Sequence, residues 1–331
     1  MNVLFIGGTG LISTAATKTC VERGINLYVL NRNQRPHELP EAVHHMIADI
    51  NDTKHVKELL HDLYFDVVVE WIGFSVDHLK RDYELFKGKT DQYVFISTAA
   101  AYQKPAPFLP MTEDCPLGNK YWAYGREKEA CEAYLHEIDD PRFHVTIVRP
   151  SHTYDDHALI FQIPNWAYPY TLLHRVINDL PIVLVNDGQS KWTLTHHEDF
   201  AEAFVDLLGN PNAYNETYHL TSSFVYTWEE ITTSLFDAVG KKPNIIYIPS
   251  EFVLSHFPDL EGPLLGDNMH DAIFDNSKIK KVAPHYQSTI DYRDVAIKAV
   301  KYYLSHPEYQ RVNEDFMKRY DQMIIAYKEH K

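Results

Sequence analysis

Tyr124-Gly125-Arg126-Glu127-Lys128 sets a phenol and a primary amine at positions i and i+4. On a helix those positions share a face, so the two groups would stand side by side. An ammonium beside a phenol favours phenolate and brings a weak acid toward general acid–base work. The spacing by itself is common: Tyr83 with Lys87 and Tyr327 with Lys331 repeat it, and both are expected to be surface pairs. Tyr124 differs in what precedes it. The apolar run Tyr93–Ile96 ends in Ser97 and Thr98, so hydroxyl, phenol and ammonium would meet at one strand end.

A second chemistry lies at the N-terminus, where Val3 to Ile6 runs into Gly7-Gly8-Thr9-Gly10 and then Leu11 and Ile12. A strand, a glycine turn and a helix gather free backbone N–H groups and the positive helix end at one point, which suits a pyrophosphate. Ser13 stands where a third glycine is expected. That glycine mainly permits close helix–strand packing, and serine is small, with a hydroxyl able to bond backbone or phosphate. The second apolar run ends in Asn31 and Arg32 instead of an acidic residue for the ribose hydroxyls. An arginine there pairs with a 2′-phosphate, so NADP is expected ahead of NAD; a solvated turn is the competing reading of Arg32. Asp49, followed by Ile50, could accept a bond from the adenine amine or simply begin a helix.

The elements that would position these groups alternate. Apolar runs at Val3–Ile6, Leu27–Leu30, Phe65–Val69, Tyr93–Ile96 and His144–Val148 are separated by helix-like stretches near 11–23, 53–63, 76–87 and 121–138. Gly24 suits a helix end and Asp52 a helix N-cap. The rhythm predicts an α/β fold with a doubly wound parallel sheet, whose ligands bind beyond the carboxyl ends of the strands. The proline-rich segment 103–119 is expected to be a loop at an active-site rim or lid. Many prolines break the second half into short elements, with helices clearest near 198–208 and 291–304.

Composition narrows the function classes. Asp and Glu outnumber Lys and Arg 46 to 31, and the net charge of -15 disfavours binding to phosphate backbones. Three cysteines cannot all pair and none lies in a CxxC, which argues against a disulfide framework or cysteine zinc site. No charged leader precedes an apolar segment and no apolar run approaches ~20 residues, so a soluble cytoplasmic protein without membrane contact is expected. Thr195-His196-His197-Glu198-Asp199 could suggest a metal, but adjacent histidines in an extended segment point to opposite faces. A strand entering a helix capped by Glu198 or Asp199 is the better reading; His44-His45 is similar, and no metal is expected.

In order, GGTGLIS, ADIND, FISTAAAY, YGREK and VTIVRPSHTY resemble the extended or atypical short-chain dehydrogenase/reductases of the NAD(P)-dependent epimerase/dehydratase group. The likeness spans roughly residues 1–155 and is diffuse beyond. It implies a Rossmann domain over 1–165, with some later segments returning to it, and a smaller, mainly substrate-binding domain over 166–331. It implies Tyr124 as acid/base, Lys128 as holder of the nicotinamide ribose, and Thr98, counted back from Tyr102, as the residue that orients the substrate hydroxyl. It adds Ile72 and Gly73 beneath the cofactor and Pro150 and His152 beside the nicotinamide. These join Gly7, Gly10, Leu11, Ile12, Asn31, Arg32, Asp49, Ile50 and Lys128 as the expected cofactor contacts. Thr98, Tyr102 and Trp192 are the expected substrate contacts. Helices such as 121–138 often form a dimer bundle in this group, so a homodimer is allowed.

Departures from the family's pattern narrow the reaction. Sugar-nucleotide 4,6-dehydratases place Asp-Glu after the catalytic threonine; Ala99-Ala100 stand here, so that elimination lacks its acid and base. Sugar-nucleotide epimerases carry an arginine about seven residues before the Asp that opens the helix of the second half. Counting back from Asp199 reaches Trp192; the neighbouring Lys191 could substitute but would lose the planar bidentate contact, which weakens the case for a nucleotide diphosphate and strengthens that for a plain sugar or other polyol-like ligand. Trp192 could stack on a sugar face or belong to the core. The leading expectation is an NADP- or NAD-dependent oxidoreductase or epimerase acting on a sugar or sugar-nucleotide hydroxyl or ketone by hydride transfer assisted by Tyr124, Lys128 and Thr98. The alternative is a non-catalytic cofactor-binding regulator or RNA-binding relative of the same fold.

Overall fold

The computed structural model describes residues 1–34 and 39–330. The first half supplies strands β1 (Asn2–Ile6), β2 (Asn26–Asn31), β3 (His44–Ile47), β4 (Phe65–Glu70), β5 (Thr90–Ile96) and β6 (His144–Pro150). The second supplies β7 (His152–Tyr154), β8 (Ile182–Val185), β9 (Lys191–His196), β10 (Glu216–Leu220), β11 (Val225–Thr227) and β12 (Ile245–Ile248). A seven-stranded sheet has the order β10-β6-β5-β4-β1-β2-β3, and every pairing in it is parallel. Its first six strands in sequence follow the order 3-2-1-4-5-6 of doubly wound dinucleotide folds, which opens a crevice between β1 and β4.

Alternation of side chains explains why helices cover both faces. Val3 and Phe5 of β1 and Val67 and Val69 of β4 pack with helices α1 (Leu11–Glu22) and, from the second half, His197–Val205. Leu4, Ile6 and Val68, on the opposite face, pack with α2 (Thr53–Leu59), α3 (Val76–Phe86) and α4 (Ala123–His136). A strand buried on both sides reads as a continuous apolar run, which is why these strands were visible in the sequence. Strand β3 was not visible. It lies at the sheet edge, mostly exposed, and its histidines bond to β2: His44 Nε2 to Asn26 Oδ1 at 2.8 Å and His45 Nε2 to Asn31 Oδ1 at 3.0 Å.

Gly24 sits at φ +70 after α1, and the Asp52 carboxylate accepts the His55 N–H, as expected of a helix end and an N-cap. Lys87 Nζ lies over the Tyr83 ring on the surface, and Lys331, of the other repeat, falls outside the described residues.

The second half builds its own apolar cluster around Leu194, Trp192, Trp228 and Tyr292, with two small sheets, β11-β9-β7 and β12-β8. Two of its elements return to the main sheet: β10 beside β6, and the helix His197–Val205 on α1. The cap of that helix differs from expectation. His196 Nδ1 accepts the Glu198 N–H, whereas Asp199 points away to accept the N–H groups of Thr289 and Ile290 and the Thr289 hydroxyl. A strand that ends on His196 in extended geometry places its ring at the cap position, two residues before Glu198 and three before Asp199. The 103–119 segment is irregular but pinned, by bridges from Tyr102 to Leu117 and from Met111 to Phe274. Among the described residues, no helix is long and apolar enough to cross a membrane, and no cluster of three or more His, Cys, Asp or Glu side chains could hold a metal ion.

Candidate active site

A cleft of about 590 Å³ opens at the carboxyl ends of β1, β2, β4 and β5. The glycine turn forms its floor: Gly7 and Gly8 sit at φ +108 and +73, and a Cβ on Gly8 would come within 3.0 Å of Val29. Glycine is required there by conformation and by space together. Gly7, Gly10, Leu11 and Ile12 line the cleft, as do Asn31, Arg32, Asp49, Ile50, Ile72, Lys128 and Pro150. Hydrogen bonding inside α1 begins with Thr14 N–H to Gly10 O, so Leu11 and Ile12 carry first-turn amides that the helix cannot satisfy. Ser13 resolves its own ambiguity. It is buried, and its Oγ accepts the Gly10 N–H at 2.8 Å, so the hydroxyl serves the backbone of the turn.

At the mouth of the cleft, the Arg32 side chain is 59% exposed and 3.9 Å from Asp49. Asn31 organises the turn: its Oδ1 accepts the Asn33 N–H at 2.8 Å. Asp49 Oδ1 accepts the Asn51 N–H at 2.9 Å, an Asx turn that leaves the second oxygen toward Arg32. Gly73 does not line the cleft. It lies behind the wall, where a Cβ would approach Glu70 to 2.8 Å, and its carbonyl accepts Lys128 Nζ at 2.7 Å. Buried Glu70 holds this turn through the Ile72 N–H.

Tyr124 and Lys128 lie on α4 and both line the cleft. Lys128 Nζ also donates to Ile96 O at 2.7 Å, and burial pulls its pKa down to about 8. The expected push of this ammonium on Tyr124 toward phenolate is not found. Burial raises the phenol above its usual value, a Thr98 hydrogen bond lowers it, and the Asp267 charge raises it again. Desolvation decides the sign because the ammonium is turned to two carbonyls. Thr98 and Ser97 separate clearly. Ser97 Oγ donates to Glu132 within a buried pair with Arg149, whereas Thr98 Oγ1 accepts the Ala100 N–H and Thr98 lines a second, smaller cavity.

That second cavity, of about 230 Å³, adjoins the first at Pro150. His152 and Trp192 line it, so His152 sits in the smaller cavity beyond Pro150 and not in the larger cleft, where it was expected. Burial keeps His152 uncharged down to about 4. Trp192 belongs equally to the core, 2% exposed and tilted against Trp228 at 5.3 Å. Tyr102 lines neither cavity. It is wholly buried, its hydroxyl within 3.1 Å of Arg149 Nη1 and 3.3 Å of His219 Nδ1. The turn Ala99–Ala101 intervenes and aims the next side chain into the protein, which is why counting in sequence misplaced it.

Three positioning or lining residues were not singled out individually, although two of them, Lys104 and Asn119, fall in the 103–119 segment expected at the rim. Lys104, from the proline-rich segment, and Asp267 face the smaller cavity as a pair 3.1 Å apart. Asn119, fully buried, donates to Ala100 O and to Gly266 O, both at 2.7 Å, and its Oδ1 accepts the Tyr121 and Trp122 N–H groups. It thereby ties the Thr98 turn, the start of α4 and the Asp267 segment together.

The family model for the NAD dependent epimerase/dehydratase family matches residues 3–220. The chain is 25% identical over 295 residues to 2'-dehydrokanamycin reductase of Streptomyces kanamyceticus, covering 87% of this chain and 80% of that one. It is 26% identical over 267 residues to the chloroplast stem-loop binding protein of 41 kDa b of Arabidopsis thaliana, covering 76% and 67%. The structure of UDP-glucose 4-epimerase from Bifidobacterium longum in complex with NAD+ and UDP superposes with a TM-score of 0.72 at 18% identity, over 93% of this chain and 99% of that one. With the glycine turn, the parallel sheet and the cleft at its carboxyl edge, these findings show that the chain belongs to the NAD-dependent epimerase/dehydratase family and is an NAD(P)-dependent enzyme of the epimerase or oxidoreductase type.

Proposed function

We propose that the protein oxidises or reduces a carbon bearing a hydroxyl or ketone on a saccharide, with Tyr124 moving the hydroxyl proton, Thr98 orienting it and NADP as the preferred cofactor. The observation that carries this reading is the seam between the cavities: Tyr124 lines the larger, Thr98 lines the smaller, Pro150 lines both, and the Thr98 hydroxyl pulls the Tyr124 pKa down across that seam. The residues of the larger cleft fit a nicotinamide dinucleotide. Gly7 and Gly8 leave no side chain where a pyrophosphate would approach, the first turn of α1 offers amides, and Arg32 offers a guanidinium for a 2′-phosphate. Bound there, the dinucleotide supplies the hydride acceptor or donor.

The chain's own groups supply the proton chemistry. A phenol held above its usual pKa is protonated at neutral pH, so Tyr124 rests as the proton donor that a ketone needs on reduction. In the reverse direction it must first lose that proton, and the Thr98 bond favours this. The second half, 166–331, closes the substrate side through Trp192 and Asp267. Stem-loop binding is not carried over from the chloroplast relative, because 46 acidic against 31 basic residues give a poor surface for a phosphate backbone.

Tyr124→Phe tests the proposal. Hydride transfer followed by the absorbance of reduced cofactor is expected to fall by about 10²- to 10⁴-fold, with NADP(H) affinity nearly unchanged. A variant that turns over at the wild-type rate removes Tyr124 from the chemistry.

A further inference from the structure

We propose that the smaller cavity is a subsite for a phosphate-free saccharide and that the buried Lys104–Asp267 pair recognises its hydroxyls. The inference rests on the reading of the adjoining cleft as a nicotinamide site and goes beyond it by fixing the substrate class. At about 230 Å³ the cavity has room for a single sugar ring, and a nucleotide attached to that ring would have to lie outside it. Among the described residues lining it, Lys104 is the one cation, and its ammonium stands 3.1 Å from the Asp267 carboxylate. The Lys104 side chain is 1% exposed and that of Asp267 18%.

A diphosphate entering here would be stripped of water beside a carboxylate, with the single ammonium already neutralised. Buried charge without a partner is strongly disfavoured. His152 brings no relief, since burial keeps it neutral. Hydroxyls meet no such conflict: a carboxylate accepts from them and an ammonium donates to them. Trp122, Trp192 and Phe274 supply apolar walls suited to the C–H face of a sugar, and the Trp192 indole N–H has no acceptor among the described residues. Asp267 is carried by a π-helical turn, Leu264–Asn268, which Asn119 fixes against the turn bearing Thr98. Lys104 and Asp267 line the same cavity as Thr98, so the pair faces the groups proposed to react.

The test uses the full chain loaded with NADP(H). Saturation-transfer NMR is read for methyl α-D-glucopyranoside, methyl α-D-galactopyranoside and D-glucosamine in one arm, and for UDP and UDP-glucose in the other. Saccharide signals are expected, with none from the uridine ligands at tenfold higher concentration. The double variant Lys104→Met/Asp267→Asn, which removes both charges together, is expected to weaken saccharide binding at least tenfold. Its NADP(H) affinity should stay within twofold, which also shows that it folds; the wild-type comparison stands without it. Binding of UDP or UDP-glucose, wild-type saccharide affinity in the double variant, or silence from every saccharide overturns the inference. If the uridine ligands bind while NADP(H) remains bound, only the substrate class falls. If NADP(H) itself does not bind, the enzymatic reading falls and this inference with it.

Discussion

Lys128 holds an ammonium where charge is disfavoured. Burial pulls its pKa down to about 8 from 10.5, against the opposing pull of Cys131, Glu70 and Glu132. Between those two values the unfolded chain binds a proton that the folded chain does not, so this group makes stability rise with pH across the window. Relative to Lys128→Met, the wild type is expected to gain up to ~3 kcal/mol of unfolding free energy from pH 8 to 10.5, at about 1.4 kcal/mol per unit. Urea denaturation at each pH measures it, and a difference that falls with pH would show that the folded state favours the ammonium. Arg32 is a different kind of residue, exposed and only loosely paired with Asp49. Charge-assisted bonds to a 2′-phosphate are worth about 1.5–3 kcal/mol, so Arg32→Ala is expected to weaken NADP by tenfold or more and NAD hardly at all. Equal losses in equilibrium titrations would remove the 2′-phosphate role.

Helix α4 carries the Tyr124 phenol, and its distance from the Thr98 turn is set by one missing side chain. A Cβ on Gly125 would lie 2.5 Å from Ala100 O. Glycine to alanine in a helix interior ordinarily stabilises by about 0.5–1 kcal/mol. Here the collision is with backbone, and overpacking costs about 1–3 kcal/mol, so the clash wins. Gly125→Ala is expected to lower the melting temperature and, by moving Tyr124 away from Thr98, to reduce kcat while cofactor affinity holds. A stabilised, fully active variant would show that α4 does not approach the turn this closely. Buried Asn119 acts on the same joint from the other side, through four hydrogen bonds to three segments.

At the scale of the molecule, the main sheet builds the cofactor cleft and the second half brings Trp192 and Asp267 to the smaller cavity. The sequence by itself determined much of this. Apolar runs buried on both faces announced the central parallel strands, the glycines between strand and helix announced a tight turn, and Tyr124 with Lys128 announced a shared helix face. These are local properties, set by backbone sterics and by the period of an element. Other features had to await the tertiary structure. Edge strand β3 buries too little to show a pattern, and His196 displaced two nearby carboxylates as a cap only because the strand ends where it does. Tyr102 left the substrate side because an intervening turn redirected it. Lys104 and Asp267 are 163 positions apart in the chain, and no local rule pairs them. The sign of the Tyr124 shift was likewise decided in three dimensions, because desolvation depends on everything packed around a group and not on its neighbour one helical turn away.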